Sequence, residues 1–250
     1  MIIIKNDTEI EYMRQAGKVV ADTLELLEKS IKPGMSTKDL DKIAEDFILS
    51  KNAKPSFKGY YGFPASVCTS VNNEVVHGIP NENTILKEGD IISVDCGAIL
   101  NGYQGDAART FAVGNISDEA SKLIEVTRNS FFKGIEKARV GNRLTDISSA
   151  IQEYVENFGF SVVRDYVGHG IGKSMHEDPE VPNFGRPGRG PKLVKGMCLA
   201  IEPMVNIGQY YVNVERNNWT VVTADGSLSA HYENTVAILD EGPEITTLNQ

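Results

Sequence analysis

Long apolar runs are missing from this chain of 250 residues. Its opening, Met1-Ile2-Ile3-Ile4-Lys5, is apolar for four residues only, too short for the h-region of a signal peptide or for a membrane span. Cysteine is scarce. Cys68, Cys96 and Cys198 are an odd number with no Cys-x-x-Cys among them, so no disulfide framework is expected and a reducing, cytoplasmic setting is. Positive charge is short as well. Lys+Arg is 25 against 34 Asp+Glu, a formal charge of −9, which argues against a DNA-binding or anionic-membrane surface. Low-complexity tracts and long linkers are also lacking. What is present, 41% hydrophobic and 24% charged residues, describes an ordinary globular protein able to build a core without staples.

A repeat organises the chain. Lys32-Pro33-Gly34 leads into Asp39-Leu40 as Arg139-Val140-Gly141 leads into Asp146-Ile147. Lys87-Glu88-Gly89 precedes Ile91-Ile92-Ser93-Val94-Asp95 as Val194-Lys195-Gly196 precedes Cys198-Leu199-Ala200-Ile201-Glu202. All these matches lie 107 residues apart, as from Gly34 to Gly141 and from Asp95 to Glu202. A duplicated half-chain is expected, with an acidic residue closing the same strand in each half and a site at the seam.

The periodicity agrees. Thr8 with Glu11 resembles a capping box ahead of Ile10, Met13, Val20, Leu24 and Leu27 at helical spacing. Ser36 with Asp39 opens a second helix and Ser117 a third, and a fourth runs through Ile147, Ile151, Tyr154 and Phe158. Strand-like runs follow: Ile91–Asp95, Arg109–Val113, Val162–Val167, Leu199–Val205, Tyr210–Val214, Trp219–Thr223 and Thr235–Leu239. Asn101-Gly102 and Asp225-Gly226 read as hairpin turns, which means antiparallel pairing. Helix pair then strands, twice over, is an α+β pattern.

The first hairpin carries chemistry. A two-residue Asn101-Gly102 turn pairs residue 100 with 103, hence 97 with 106 and 95 with 108. Asp95 and Asp106 then share one face as diagonal neighbours, provided that neither Gly97 nor Gly105 makes a bulge. Two such carboxylates repel unless one is protonated or a cation lies between them. Alone, the pair would read as a solvated strand face. The repeat adds Glu202, inside the apolar run Leu199–Val205, where a carboxylate needs a partner. Glu233 enters a strand at Ala230–Val236, and His169 sits among Gly168, Gly170 and Gly172. Four carboxylates and one imidazole suit two divalent cations, and the oxygen-rich set favours Mn, Fe, Co or Zn over a structural thiolate zinc.

Two other chemistries fail on spacing. Gly168 and Gly172 enclose three residues before Lys173-Ser174, one fewer than a phosphate loop needs, and Val167 occupies the required position. No Gly-x-Ser-x-Gly elbow is present, and the cysteines suit small buried apolar groups rather than nucleophiles.

These residues resemble a known family. Cys68–Pro80, Asp95-Cys96-Gly97, Gly105–Thr110, Gly168–Gly172, Met175-His176-Glu177, Ile201–Met204 and Tyr232–Thr235 are similar to the motifs of the methionine aminopeptidases, in the M24 metallopeptidase family. The likeness spans nearly the whole chain. It implies the pita-bread fold, a pseudo-twofold α+β domain with a curved, mainly antiparallel sheet covered by helix pairs. The short spacing from His169 to Glu202 resembles type 1, in its bacterial form. By this resemblance residues 1–250 form a single catalytic domain, with halves of roughly 1–115 and 116–250.

The resemblance also implies roles. Asp95 would chelate one metal, Asp106 and Glu233 would bridge both, and His169 would bind the other. Glu202 would ligate and act as base or proton shuttle. His77 and His176, each in a His-x-x-Pro sequence, would hold substrate, His176 stabilising the carbonyl oxygen as it becomes tetrahedral. Water activated by the metals would attack the first peptide bond behind an N-terminal methionine, with a small second residue preferred. Tyr60, Phe63, Cys68, Met175 and Trp219 would wall the side-chain pocket, although Met175 stands where related enzymes often have Phe. Without the resemblance, Tyr60, Phe63 and Trp219 read equally as core. His231, two residues before Glu233, is not asked for by the family pattern. The expected partner is the N-terminal Met of nascent polypeptides, with the ribosome nearby and the enzyme a monomer. Two alternatives use the same fold: a proline-specific aminopeptidase or dipeptidase, and a non-enzymatic binding protein.

Overall fold

The computed structural model describes residues 1–249. Its helices come as two consecutive packed pairs, α1 (Asp7–Ser30) with α2 (Thr37–Ser50) and α3 (Asp118–Ile135) with α4 (Leu144–Glu156). Each pair covers its own core. Under the first, Val20, Leu24, Leu40 and Ile48 pack with Val67, Ile92, Val94 and Ala107. Under the second, Leu123, Phe131, Ile147 and Ile151 pack with Leu199, Ile201, Val236 and Ile238. The apolar stripes read from the sequence are therefore the buried faces.

Helix starts follow local chemistry. Ser36 caps α2 with Asp39 reciprocating, and the Ser117 hydroxyl accepts from Ala120 N. α1 begins two residues before the Thr8 box, at Asn6 with Glu9. Lys5 explains the shift. Its backbone N–H donates to Gly196 O and its ammonium to Glu177, so the chain must turn immediately after it. α4 ends at Glu156, so Phe158 lies past the helix in a turn.

All strand pairs are antiparallel. The Asn101-Gly102 hairpin joins Ile91–Leu100 to Tyr103–Ala112 with Leu100 opposite Tyr103, Gly97 opposite Asp106 and Asp95 opposite Ala108. The register predicted from the turn holds without a bulge. Gly97 and Gly105 serve close approach instead. A Cβ on Gly97 would lie 2.8 Å from both Phe57 and Ser56, and one on Gly105 would lie 2.7–2.9 Å from the backbone of α1 at Ala16 and Gly17.

Two expected strands and one expected hairpin differ. The Leu199–Val205 run is two strands, Cys198–Ile201 and Met204–Asn206, in different sheets. The break falls at Glu202-Pro203, where Pro203 offers no ladder donor. Val162–Val167 contributes only Ser161–Val162, because after Val163 pairs with Met204 O the chain departs and Arg164 stacks on Tyr210. Asp225-Gly226 is a turn but not a hairpin. Val221–Thr223 pairs with Val212–Val214 and Glu74–Val76, whereas Ser229–His231 crosses to Met204–Asn206.

The 107-residue offset recurs in the hydrogen bonds. Gly34 N donates to Leu86 O as Gly141 N does to Leu193 O, and Leu86 N to Met35 O as Leu193 N does to Asn142 O. The bridges Ser36–Ile85 and Arg143–Lys192 match likewise. The halves are stitched together at the centre. Ala108 and Glu233 exchange backbone hydrogen bonds of 3.0 and 3.3 Å, and Thr235 Oγ1 accepts from Asp106 N while donating to Asp106 O, both at 3.0 Å.

Candidate active site

The strand register puts Asp95 and Asp106 on one face of the hairpin, and the central stitch brings Glu233 to them. The strand break delivers Glu202 from the other half. Strand Gly168–Gly170 lies beside Cys198–Ile201 and supplies His169. All five predicted ligands line one cavity of about 220 Å³. Ligand atoms of Asp106, His169 and Glu233 lie within 4.8 Å of one another.

The geometry fits cations. His169 Nε2 stands 3.7 Å from Asp106 Oδ2 and 3.6 Å from Glu202 Oε1, too far for hydrogen bonds. Two donors each ~2.1 Å from one ion lie roughly 3–4 Å apart, so these are ligand-to-ligand separations. Asp95 Oδ1, Asp106 Oδ1 and Glu233 Oε1 are buried with no hydrogen-bond partner among the described residues. Unpartnered buried carboxylate oxygens are costly unless a cation meets them. The Nδ1 of His169 lies 2.9 Å from Gly170 O. A carbonyl only accepts, so Nδ1 carries the proton and Nε2 presents its lone pair to the carboxylates, the tautomer a metal ligand needs.

Electrostatics point the same way. Burial, then the neighbouring carboxylates, pushes Asp106, Glu202 and Glu233 well above the usual carboxylate range. Burial lifts Asp95 to about 7. Burial lowers His169 and His77 to about 4, with His176 adding to both, and burial alone lowers His176. Without added positive charge this cluster cannot stay fully ionised at neutral pH.

The remaining predicted residues complete the cavity. Tyr60, Phe63, Cys68, His77, Met175, His176 and Trp219 all line it. Phe63 and Trp219 meet edge to face at 5.1 Å, and Met175 and Cys68 are buried in the wall. Tyr60 Oη lies 2.8 Å from His176 Nδ1, and the His176 and His169 rings are 4.3 Å apart. His77 has a left-handed φ of 59° and meets Tyr166 edge-on. A non-glycine residue held there marks a strained, fixed position. Sequence reasoning passed over Phe57 and Tyr61, which also line the cavity. The glycine-punctuated run Gly59-Tyr60-Tyr61-Gly62 held a signal for Tyr61, whereas Phe57 had none.

Residues 11–240 match the model of the metallopeptidase family M24. The chain belongs to that family. A methionine aminopeptidase of Clostridium acetobutylicum is 76% identical over 99% of both chains, and methionine aminopeptidase 1 of Bacillus subtilis is 59% identical over 99% of both. The solved methionine aminopeptidase of Thermotoga maritima, 48% identical, superposes over the full length of both chains with a TM-score of 0.98. The pita-bread fold and type 1 membership expected from the sequence therefore hold. A prolidase from Pyrococcus furiosus, 22% identical with a TM-score of 0.80, shares the fold. This chain covers 66% of that prolidase. M24 membership and the buried Asp106–His169–Glu233 cluster make the chain a metallopeptidase with a site compatible with metal binding.

Proposed function

We infer that the chain is a metal-dependent aminopeptidase that removes N-terminal methionine from polypeptides, and that Asp95, Asp106, His169, Glu202 and Glu233 hold two divalent ions, drawn from Co, Mn, Fe or Zn. The carrying observation is the meeting of unpartnered carboxylate oxygens with an apolar wall in one cavity of about 220 Å³. A small chamber accepts one side chain and its amine, which suits an exopeptidase. The buried sulfurs of Met175 and Cys68 and the faces of Phe63 and Trp219 suit a thioether.

When bound, the ions supply charge that makes water a nucleophile at neutral pH and polarises the scissile carbonyl. The chain's residues do the rest. Glu202 takes the proton released as the water attacks and returns it to the leaving amine. Tyr60 Oη lies 2.8 Å from Nδ1 of His176, and in the tautomer this reading assigns the hydroxyl donates a hydrogen bond to Nδ1 while the ring's proton sits on Nε2. That N–H donates to the carbonyl oxygen as it gains charge, a fixed dipole needing no reorganisation. His77, locked by its backbone, steadies the peptide beside it.

The described residues are read as one catalytic domain, with halves meeting near residue 115. This reading has it act on nascent chains in the cytoplasm, near the ribosome, and the three free cysteines are in keeping with a reducing compartment. A direct trial strips the protein with chelator, restores single metals, and compares Met-Gly-x with X-Pro peptides. Methionine release that returns with metal supports the function. Preference for X-Pro substrates, or full activity in the stripped protein, defeats it.

A further inference from the structure

His231 is a feature that the M24 ligand set does not absorb. Its side chain is 2% exposed, and its Nε2 has no hydrogen-bond partner among the described residues. That nitrogen stands 3.8 Å from Glu202 Oε2 and 3.9 Å from Glu233 Oε2. His169 reaches Glu202 through the other oxygen, Oε1. The Glu202 carboxylate is thus flanked by two imidazoles, one per oxygen. The His231 backbone is fixed on both sides. Its N–H donates to Thr110 Oγ1 and its carbonyl accepts from the same hydroxyl, both at 2.9 Å. Across the ladder it pairs with Met204, two residues after Glu202. The strand that carries the ring is therefore held in place.

We propose that His231 is a positioning residue whose Nε2–H is shared between the outward oxygens of Glu202 and Glu233 and holds both carboxylates in the orientation the metal centre requires. The acidic groups within 4 Å of Nε2 are the carboxylates of Glu202 and Glu233. Ionised carboxylates only accept hydrogen bonds, so the nitrogen facing them carries the proton. The present gaps of 3.8 and 3.9 Å exceed the upper end of the N–H···O range, about 3.2 Å, by about 0.6–0.7 Å. Small rotations of the two carboxylates in the loaded site would bring both oxygens within reach of the one N–H. Hydrogen-bonded partners of this kind fix ligand orientation and commonly carry about 10–100-fold of metal affinity or activity. The role rests on the metal-centre reading above.

The test uses the intact chain titrated with Co²⁺, followed by calorimetry and visible absorption, beside peptide kinetics. Two variants separate donor from shape: His231→Gln retains an N–H donor of similar reach, and His231→Leu keeps bulk without it. Melting in chelator establishes that each variant is folded. The expected result is Co²⁺ affinity and kcat about 10–100-fold lower in His231→Leu, KM within about twofold, and His231→Gln within a few-fold of the parent. Retention of parental affinity and kcat by His231→Leu overturns the proposal, as does a His231→Gln variant as impaired as His231→Leu. Absorption bands that lose a nitrogen ligand in His231→Gln overturn it too, by making His231 a ligand. If the parent chain binds no Co²⁺, the metal-centre reading itself fails instead.

Discussion

Glu202 sits where a strand stops and a proline begins, and its side chain stays 13% exposed beside His169 and His231. It keeps contact with the cavity while burial raises its proton affinity, which suits a group that must accept a proton and return it. Glu202→Gln preserves shape and a ligand oxygen but removes the base. Its kcat should fall by about 10²–10⁴-fold while elemental analysis still finds metal. Tyr60→Phe frees Nδ1 of His176 and lets the ring choose its tautomer. A lost hydrogen bond of about 1–1.5 kcal/mol corresponds to a roughly tenfold drop in kcat, with KM little changed because the aromatic face remains. The sequence carried Asp95 and Asp106 because a two-residue turn and a period of two fix parity. It carried Glu202 through the repeat. It could not carry the Tyr60–His176 bond, since residues far apart in loops meet only through the tertiary fold.

Elements were legible where their signals were local. Ser36, Asp39 and Ser117 are caps, and Asn101-Gly102 sets a ladder of ten pairs. The signals failed where a tertiary tie intervened. Lys5, bound to Gly196 and Glu177, decides where α1 starts, although two capping boxes overlap there. Glu202-Pro203 splits an unbroken apolar run, and Asp225-Gly226 sends its strands to different sheets because the flanking segments have other partners. α1 packs against the hairpin at Gly105 with no room for a side chain. In Gly105→Ala the new methyl would meet Gly17 N at 2.7 Å, and backbone cannot swing aside. Overpacking of this kind costs about 1–3 kcal/mol, read as a lower urea midpoint at unchanged m. The ion pair of Lys5 with Glu177, at 2.6 Å and almost wholly buried, anchors the segment carrying His176. Lys5→Met leaves Glu177 buried and unpaired, and should cost about 3–5 kcal/mol in the same assay.

At the scale of the whole molecule, the repeat predicted a seam and the hydrogen bonds repeat at the same interval. What no periodicity conveyed is that four carboxylates at this seam oppose folding until charge is supplied. Metal should therefore stabilise the native state strongly. At 100 times its dissociation constant a ligand adds about 2.7 kcal/mol. For a chain of this size that is roughly 5–10 °C in Tm, measurable by calorimetry with and without chelator. Equal melting points in Mn²⁺ and in chelator would contradict the cluster's role.

Ala108 and Glu233 trade backbone hydrogen bonds, and Asp106 is clasped by Thr235. Asp106 and Glu233, one acidic group from each half, are thus bolted to one short cross-tie rather than to separate walls. Parting the halves slightly would pull every carboxylate out of alignment together, long before a helix unwound. On slow heating, peptide cleavage should vanish at a lower temperature than helical circular dichroism, so catalysis becomes the earliest gauge of whether the two lobes remain closed.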